Sequence, residues 1–308
     1  MTQNTKKKIA TWEKVAADYY QILIPNRPSQ DDCRNYGLLI AKALKNKKDA
    51  KIMIMGATPE LRRVLYTYEA LNGAEVFCVD LNPAMYKAMT TFLSRSDHYQ
   101  EKYVKNSWLK TKFPDQYFDL IVGDEVICNL DDQLHLKLFQ EMSRILKNGG
   151  IWITRHNVYL PEDSKLTTRQ ILINLAEKIQ EGEYCFQLAM NIMYLRMFYY
   201  GSATRKFKNT MASHLIVMRK EYAKSLKNHQ YNKIIKELLG LFEQNLVPMA
   251  GDYEWHILSE KESEKELGKF FSLENKVYSL DHLFAKNGPI YVLKKHTPPV
   301  LIREAKGE

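Results

Sequence analysis

Lys51-Ile-Met-Ile-Met-Gly56-Ala-Thr-Pro-Glu-Leu61 reads as a buried strand, a tight turn and the first turn of a helix. The apolar run after Lys51 suits a strand covered on both faces, the condition of a parallel sheet. Gly56 lets the backbone turn and lets a ligand approach it closely. Thr58 stands at the N-cap place and Pro59 at the first helical position. The helix is predicted from Pro59 to about Leu71, stopped by Asn72-Gly73. Working outward, Glu75-Val-Phe-Cys-Val-Asp80 is the next strand, followed by a helix from Pro83 to about Leu93. A weaker strand lies around 103–107, and Phe118-Asp-Leu-Ile-Val-Gly-Asp124 is a clear one. Leu134, Leu138, Met142 and Ile145 form a helical stripe that ends at Lys147-Asn-Gly-Gly150, and Ile151-Trp-Ile-Thr154 is a fifth strand. Upstream, a helix is predicted over Trp12 to Leu23 and another from Asp31, carrying Tyr36, Leu38, Leu39, Ala41 and Leu44.

Apolar strands alternating with helices imply an α/β fold, a doubly wound, mostly parallel sheet with helices on both faces. Such sheets bind ligands at the carboxyl ends of the strands. From about 157 to 250 the pattern is helical instead, with stripes at Ile171, Leu172, Leu175, Ile179; at Leu188, Ile192, Leu195, Phe198; and at Tyr231, Ile234, Ile235, Leu238, Phe242. The one hint of a strand there is His214–Met218. Phe270–Glu274 and Pro289–Leu293 are the expected last strands, with a short helix over Asp281–Ala285 between them. The chain therefore divides into N-terminal helices (1–50), an α/β core (51–156), a helical insertion after strand five that covers the strand ends (157–255), and the last strands with a tail (256–308). About seven strands are expected in all.

The 308 residues are 45% hydrophobic and 26% charged, with 13 glycines and 10 prolines. This composition excludes wholesale disorder and argues against a turn-rich all-β protein. No apolar run reaches the ~18–20 residues of a membrane span. MTQNTKKKIATWEKV lacks the apolar stretch of a signal peptide, and the four cysteines (Cys33, Cys78, Cys128, Cys185) show no metal-type pairing. Reduced core cysteines in a cytoplasmic protein, with no membrane association, are expected. The net charge of +9 is concentrated: residues 1–50 hold ten basic and five acidic residues, and 201–250 hold nine and three. Such clustering suits either an acidic partner or a lysine-rich solvated surface.

The residues just after the strands carry the candidate chemistry. The turn Gly56-Ala57-Thr58 opens a helix whose N-terminus favours an anionic group. Asp80 ends strand two and can accept both hydroxyls of a ribose, while Asn82 is free to cap the following helix. Asp124 and Glu125 follow strand four, where a carboxylate can touch a ligand or a reacting group. His156 follows strand five at the same sheet edge and can serve as a base. No His-Glu-x-x-His or other metal-ligand spacing occurs, and the eight histidines are dispersed, so no metal is expected.

Four motifs in order give the chain a family resemblance: Gly56-Ala-Thr-Pro-Glu-Leu61, Val79-Asp-Leu-Asn-Pro-Ala-Met85, Phe118–Asp124, and Leu146-Lys-Asn-Gly-Gly-Ile-Trp152. Over about residues 10–156, with a looser echo at 268–295, the chain resembles the class I S-adenosylmethionine-dependent methyltransferases. It is most similar to a small-molecule subset whose first motif reads Gly-Val-Thr-Pro-Glu-Leu. The resemblance implies a Rossmann-like sheet, S-adenosyl-L-methionine as cofactor and S-adenosyl-L-homocysteine as product. It implies that Gly56, Ala57 and Thr58 cradle the methionine part, that Asp80 holds the ribose and that Leu81 flanks the adenine. Asp124 and Glu125 would lie near the cofactor's amino group or the acceptor, and Tyr19 or Tyr20 would reach its carboxylate from an N-terminal helix that closes over it. Two positions depart from the pattern. Ile54 stands where many relatives have an acid. Asn106-Ser-Trp-Leu109 resembles a loop that often reads Gly-Asp-Trp-Leu, so Ser107, beside Trp108, replaces the aspartate that binds the adenine amine.

A methyl on a positively charged sulfur is already activated, so alignment in a water-poor pocket does most of the work and a base is needed only for a protonated acceptor. The acceptor is expected to be a small molecule, methylated on N or O, with Glu125 and His156 as candidate catalytic groups. The aromatic and methionine-rich stretch Tyr184–Tyr200 is either a pocket lining or helix core, and Arg155 and Arg196 either bind an acidic substrate or simply pair on the surface. Two alternatives stay open. Arg205-Lys206-x-Lys208 and Arg219-Lys220 could track the phosphates of a nucleic acid, although no Asn/Asp-Pro-Pro-Tyr motif follows strand four. A non-catalytic S-adenosylmethionine-binding protein is the other. Oligomeric state is not legible.

Overall fold

The computed structural model describes residues 3–16, 19, 22, 24–67, 73–93, 101–247, 254, 255 and 257–296. A seven-stranded sheet organises it, in the order β3-β2-β1-β4-β5-β7-β6. The strands are β1 (Lys51–Met55), β2 (Glu75–Asp80), β3 (Glu101–Lys105), β4 (Phe118–Asp124), β5 (Leu146–Arg155), β6 (Phe271–Val277) and β7 (Ile290–Lys295). The first five pair in parallel, and β7 runs antiparallel to both β5 and β6. β1 sits centrally, with Ile52, Met53, Ile54 and Met55 all buried, as a strand covered on both faces requires. Chain order reverses on either side of it, β1 to β2 one way and β1 to β4 the other. The edge beside Met55 and Asp124 is therefore the switch point at which open α/β sheets form their ligand crevice.

Helices α1 (Gln3–Val15), α2 (Gln30–Leu44), α3 (Pro59–Tyr66), α4 (Pro83–Thr90) and α5 (Asp132–Ile145) belong to this half. Ser29 caps α2 with a reciprocal capping box through Asp32. Asn82 caps α4 by accepting from the N–H groups of Ala84 and Met85, which leaves the neighbouring Asp80 carboxylate free of that task. Arg62, buried in α3, donates to Glu101 of β3 and, at 2.9 Å, to Thr90 at the end of α4, tying three elements beneath the crevice.

The insertion forms a second apolar body from α6 (Thr168–Gln180), α7 (Phe186–Thr204), α8 (Met211–Glu221) and α9 (Asn232–Leu241). The aromatic and methionine-rich stretch is α7, whose residues from Met193 to Tyr200 are buried apart from half-buried Arg196. Its side chains are helix core rather than a lining of the crevice. α10 (Glu260–Leu267) then leads back to β6. No helix is long and apolar enough to cross a membrane among the described residues.

Several expectations shift. The first helix spans 3–15 rather than 12–23; beyond it Tyr19 OH donates to Glu60 of α3, and residues 17, 18, 20, 21 and 23 of the predicted helix lie outside the described residues. α3 ends at Tyr66, and residues 68–72 of the predicted continuation lie outside the described residues. α4 stops at Thr90 because the chain tightens into i→i+3 bonds from Thr91 to Leu93. β3 lies two residues earlier than expected, since Ser107 belongs to a turn that bridges to Lys110. β5 begins at Leu146, and the glycine turn is absorbed as an irregularity in its pairing with β4, with Gly149 at φ +73°. The His214–Met218 hint is the helix α8, with His214 held by Asn209 Oδ1 at 2.7 Å. Asp281–Ala285 forms bends and turns and no α-helix; a single 3-10 turn follows at Ala285–Asn287. Just before Asp281, Leu280 N–H donates to Asp31 and Ser279 Oγ donates to Asp32, which ties this stretch to α2. Of the cysteines, all free, Cys78 and Cys128 are buried as expected but Cys185 is exposed.

Candidate active site

A cavity of about 470 Å³ opens at the carboxyl ends of β1, β2 and β4, within the size range of small-molecule pockets. Its floor is the turn after β1. Gly56 has φ +85°, a conformation that L side chains rarely adopt, which is why glycine stands there. Trp108 and the Asp80 carboxylate face the same spot: a Cβ on Gly56 would lie 3.6 Å from the indole and 3.9 Å from Asp80 Oδ2. Thr58 precedes α3 but makes no side-chain cap bond, contrary to expectation. Its φ of −49° and ψ of 113° take it away from the extended backbone usual for an N-cap, and the first-turn N–H groups lack that partner.

Asp80 ends β2 with its carboxylate largely withdrawn from water. Burial raises its pKa to about 6, against N–H bonds from Asn82, Ala57 and Leu81. The backbone around it is fixed: Trp108 Nε1 donates to Val79 O at 2.8 Å, and Tyr103 OH donates to Asp80 O at 3.1 Å. Ser107 lies in the loop after β3, where its Oγ accepts from Leu109 N–H at 3.3 Å.

On the β4 side, Arg155 is fully buried and faces three carboxylates. It holds Asp124 through two hydrogen bonds, Nε to Oδ1 at 2.7 Å and Nη2 to Oδ2 at 2.9 Å. Asp32 Oδ2 approaches Nη1 at 3.3 Å and Glu125 Oε1 approaches Nη2 at 3.1 Å. Tyr36 OH donates to Gly123 O and accepts from Arg155 N–H, each at 2.7 Å. One guanidinium cannot offset three buried acids. Burial pushes Glu125 up to about 8, and Asp124 is also raised by burial despite Arg155. Asp32 ends below its usual value because Arg155, Ser279 and the Ser29 N–H together outweigh its burial. Arg155 thus pairs with acids inside the protein rather than on its surface, and Arg196 lies over the Phe284 ring at 5.1 Å.

Gly56, Ala57, Thr58, Asp80, Leu81, Ser107, Trp108, Asp124 and Glu125 all line this one cavity. His156 does not join them: it is buried with Nε2 3.1 Å from Ser263 Oγ, and burial lowers its pKa to about 3. A ring that stays neutral and packs against α10 is a structural link rather than a base. Tyr20 lies outside the described residues. Tyr19 lines the cavity and donates to Glu60 Oε2 at 2.9 Å, while Arg27 holds Glu60 Oε1 at 3.2 Å. The predicted lid is also corrected. The cavity is walled by Ile9, Trp12, Tyr19 and Asn26, and among the described residues none from 157–255 lines it. Glu60, Tyr36, Asp32 and Arg155 were missed as a set because each has an ordinary local explanation. An acid in a helix's first turn suits the helix dipole, and an arginine at a strand end reads as surface.

Residues 62–154 match the model of a methyltransferase domain. The matched segment runs from α3 to β5 and so holds Asp80, Ser107, Trp108, Asp124 and Glu125; it begins after the Gly56 turn. Among curated proteins, a thiol S-methyltransferase of Rattus norvegicus is 32% identical over 95 residues, 30% of this chain and 38% of that protein. One from Mus musculus is 30% identical over 96 residues, with the same shares. The chain therefore spans well under half the length of these relatives. Two solved structures share the fold at low identity. One is a Rhodobacter sphaeroides protein named as a zinc-dependent alcohol dehydrogenase (TM-score 0.53, 13% identity, 96% of this chain and 100% of that one). The other is an N-methyltransferase of Bradyrhizobium japonicum bound to S-adenosyl-L-homocysteine (TM-score 0.50, 9% identity, 94% and 100%). Among the described residues no three His, Cys, Asp or Glu side chains converge as a metal site.

Proposed function

We propose that this chain is a class I S-adenosylmethionine-dependent methyltransferase that acts on a small-molecule acceptor by direct displacement. The observation that carries the reading is the pairing of Gly56 and Asp80 in one cavity. A glycine turn at a helix N-terminus stands beside a desolvated carboxylate at the next strand's end, which suits an amino-acid moiety and a ribose side by side. The cofactor fits the residues present. Asp80 retains acceptor capacity beyond its backbone N–H bonds, Trp108 and Leu81 offer flat apolar cover for a purine, and Asp124 and Glu125 supply negative charge for a cationic ligand. When bound, S-adenosylmethionine supplies a methyl group on a cationic sulfur. The protein's part is to bind, to orient and to exclude water, with Ile9, Trp12, Tyr19 and Asn26 as the cover.

The expected nitrogen and oxygen acceptors are joined by sulfur, since the two rodent relatives are named as thiol S-methyltransferases. The nucleic-acid alternative has less support. Arg219 is engaged with Glu243 and Arg205 approaches Glu262 at 4.0 Å, and none of the basic residues of 205–236 lines the cavity. Calorimetric titration with S-adenosylmethionine and S-adenosyl-L-homocysteine tests the reading. Micromolar binding to both is expected; binding to neither rejects it.

A further inference from the structure

Glu125 is held in a conformation that its own side chain does not favour. Its φ is +51°, a left-handed backbone that costs a non-glycine residue of order 1–3 kcal/mol unless the surroundings enforce it. The surroundings do. Glu125 N–H donates to Arg155 O at 2.9 Å, and its carbonyl accepts from Cys128 Sγ at 3.1 Å and Asn129 Nδ2 at 2.9 Å. The carboxyl so placed lines the cavity, yet Oε1 is buried without a hydrogen-bond partner. Arg155 Nη2 is 3.1 Å away but directs its bond to Asp124.

Charged and titratable groups from several elements act on this carboxyl. Arg155 from β5 favours its ionised form, as does a hydrogen bond from Asn157. Asp124 beside it and Asp32 of α2 oppose ionisation. From α7, Tyr194 and Tyr199 feel its charge and are themselves kept protonated by burial. The cluster thus sets one guanidinium against three acids, and Glu125 is the member that lines the cavity with a carboxyl oxygen 3.1 Å from Arg155 but not hydrogen-bonded to it.

We infer that Glu125 is the catalytic proton acceptor of the reaction proposed above, and that its acceptor class is a small-molecule thiol, whose S–H must ionise as the new bond forms. The inference rests on the proposed methyl transfer. The thiol S–H bond breaks and its proton passes to the Glu125 carboxylate. The electron pair left on the thiol sulfur forms the bond to the methyl carbon, and the pair of the broken carbon–sulfonium bond stays on the departing sulfur. One negative and one positive charge are both neutralised, so charge balances. A carboxyl that titrates near pH 8 is matched to a thiol of pKa ~8.5. A bound cation also favours the ionised carboxyl, so Glu125 is readied when the site is loaded.

The test uses the full chain and needs no turnover for its first arm. Binding is titrated at pH 7 in phosphate and in Tris, whose ionisation heats differ, so that proton release is counted. Cationic S-adenosylmethionine should release more protons than neutral-sulfur S-adenosyl-L-homocysteine in the wild type, and no more in Glu125→Gln. In the second arm, turnover of 2-mercaptoethanol at saturating S-adenosylmethionine should fall at least ~100-fold in Glu125→Gln. Equal proton counts for the two ligands in the wild type, or thiol turnover that survives the substitution, overturn the inference and leave the methyltransferase reading standing. Failure of the wild type to bind either ligand overturns both.

Discussion

The cavity edge and the helical insertion bury opposite kinds of matter. At the edge, Asp32, Glu60, Glu125 and Arg155 are buried in one neighbourhood with Asp80 and Asp124, and three acids face one guanidinium. The insertion's core is Ile, Leu, Met, Phe and Tyr, with Met193, Met197 and Tyr199 fully withdrawn from water. Apolar burial drives folding, whereas desolvated charge opposes it unless paired. The insertion is therefore a source of stability, and the cavity edge a place where stability is given up to hold ionisable groups in a dry pocket.

The largest effect expected is from Arg155→Met. It leaves three buried acids without their cation and should cost about 3–5 kcal/mol, read by urea denaturation at pH 7. A cost under ~1 kcal/mol would mean that the carboxylates are already neutral. In the insertion, Met193→Ala should cost about 3 kcal/mol by cavity formation. S-adenosylmethionine affinity of the folded variant should change less than about threefold, since this body does not line the cavity; a tenfold loss would return the insertion to the role of a lid.

Asp80→Asn reverses the sign. The folded carboxyl titrates near pH 6, above its ordinary value, so ionisation destabilises the fold as pH rises. The variant should match the wild type in stability near pH 3. It should gain progressively between about pH 4 and 6, and above pH 6 hold a margin on the order of 2 kcal/mol. Its affinity for S-adenosylmethionine should drop tenfold or more. A stability gain without an affinity loss would detach Asp80 from the ligand. The smallest effect is Ser107→Asp, which restores the acid that resembling loops carry. A several-fold gain in affinity, about 1 kcal/mol, is expected from calorimetry, and no change would place the adenine away from this loop.

Much of the core was legible because burial on both faces leaves an unmistakable apolar run. Lys51–Met55, Glu75–Asp80 and Phe118–Asp124 appear where the residues put them. Element ends were less legible. The N-terminal stripe of Trp12, Ala16 and Tyr19 fits a helix, yet Tyr19 is drawn off it by a hydrogen bond to Glu60, 41 residues away. The turn Lys147–Gly150 reads as a break but is carried inside β5 by pairing with β4. His156 shows the limit for sites: a histidine at the functional edge of the sheet is equally well a core residue, and only its contact with Ser263 of α10 decides.

The sequence by itself determined the order of strands and helices, the apolar nature of the insertion and the positions of Gly56, Asp80, Asp124 and Glu125 at strand ends. Periodicity and turn chemistry are local, and they survive whatever the rest of the chain does. Tertiary structure alone decided which segments wall the cavity, and that Arg155 is shared among Asp32, Asp124 and Glu125. Those acids lie up to 123 residues from Arg155 in sequence. Their ionisation depends on the water removed and the charges brought near, and no stretch of sequence carries either quantity.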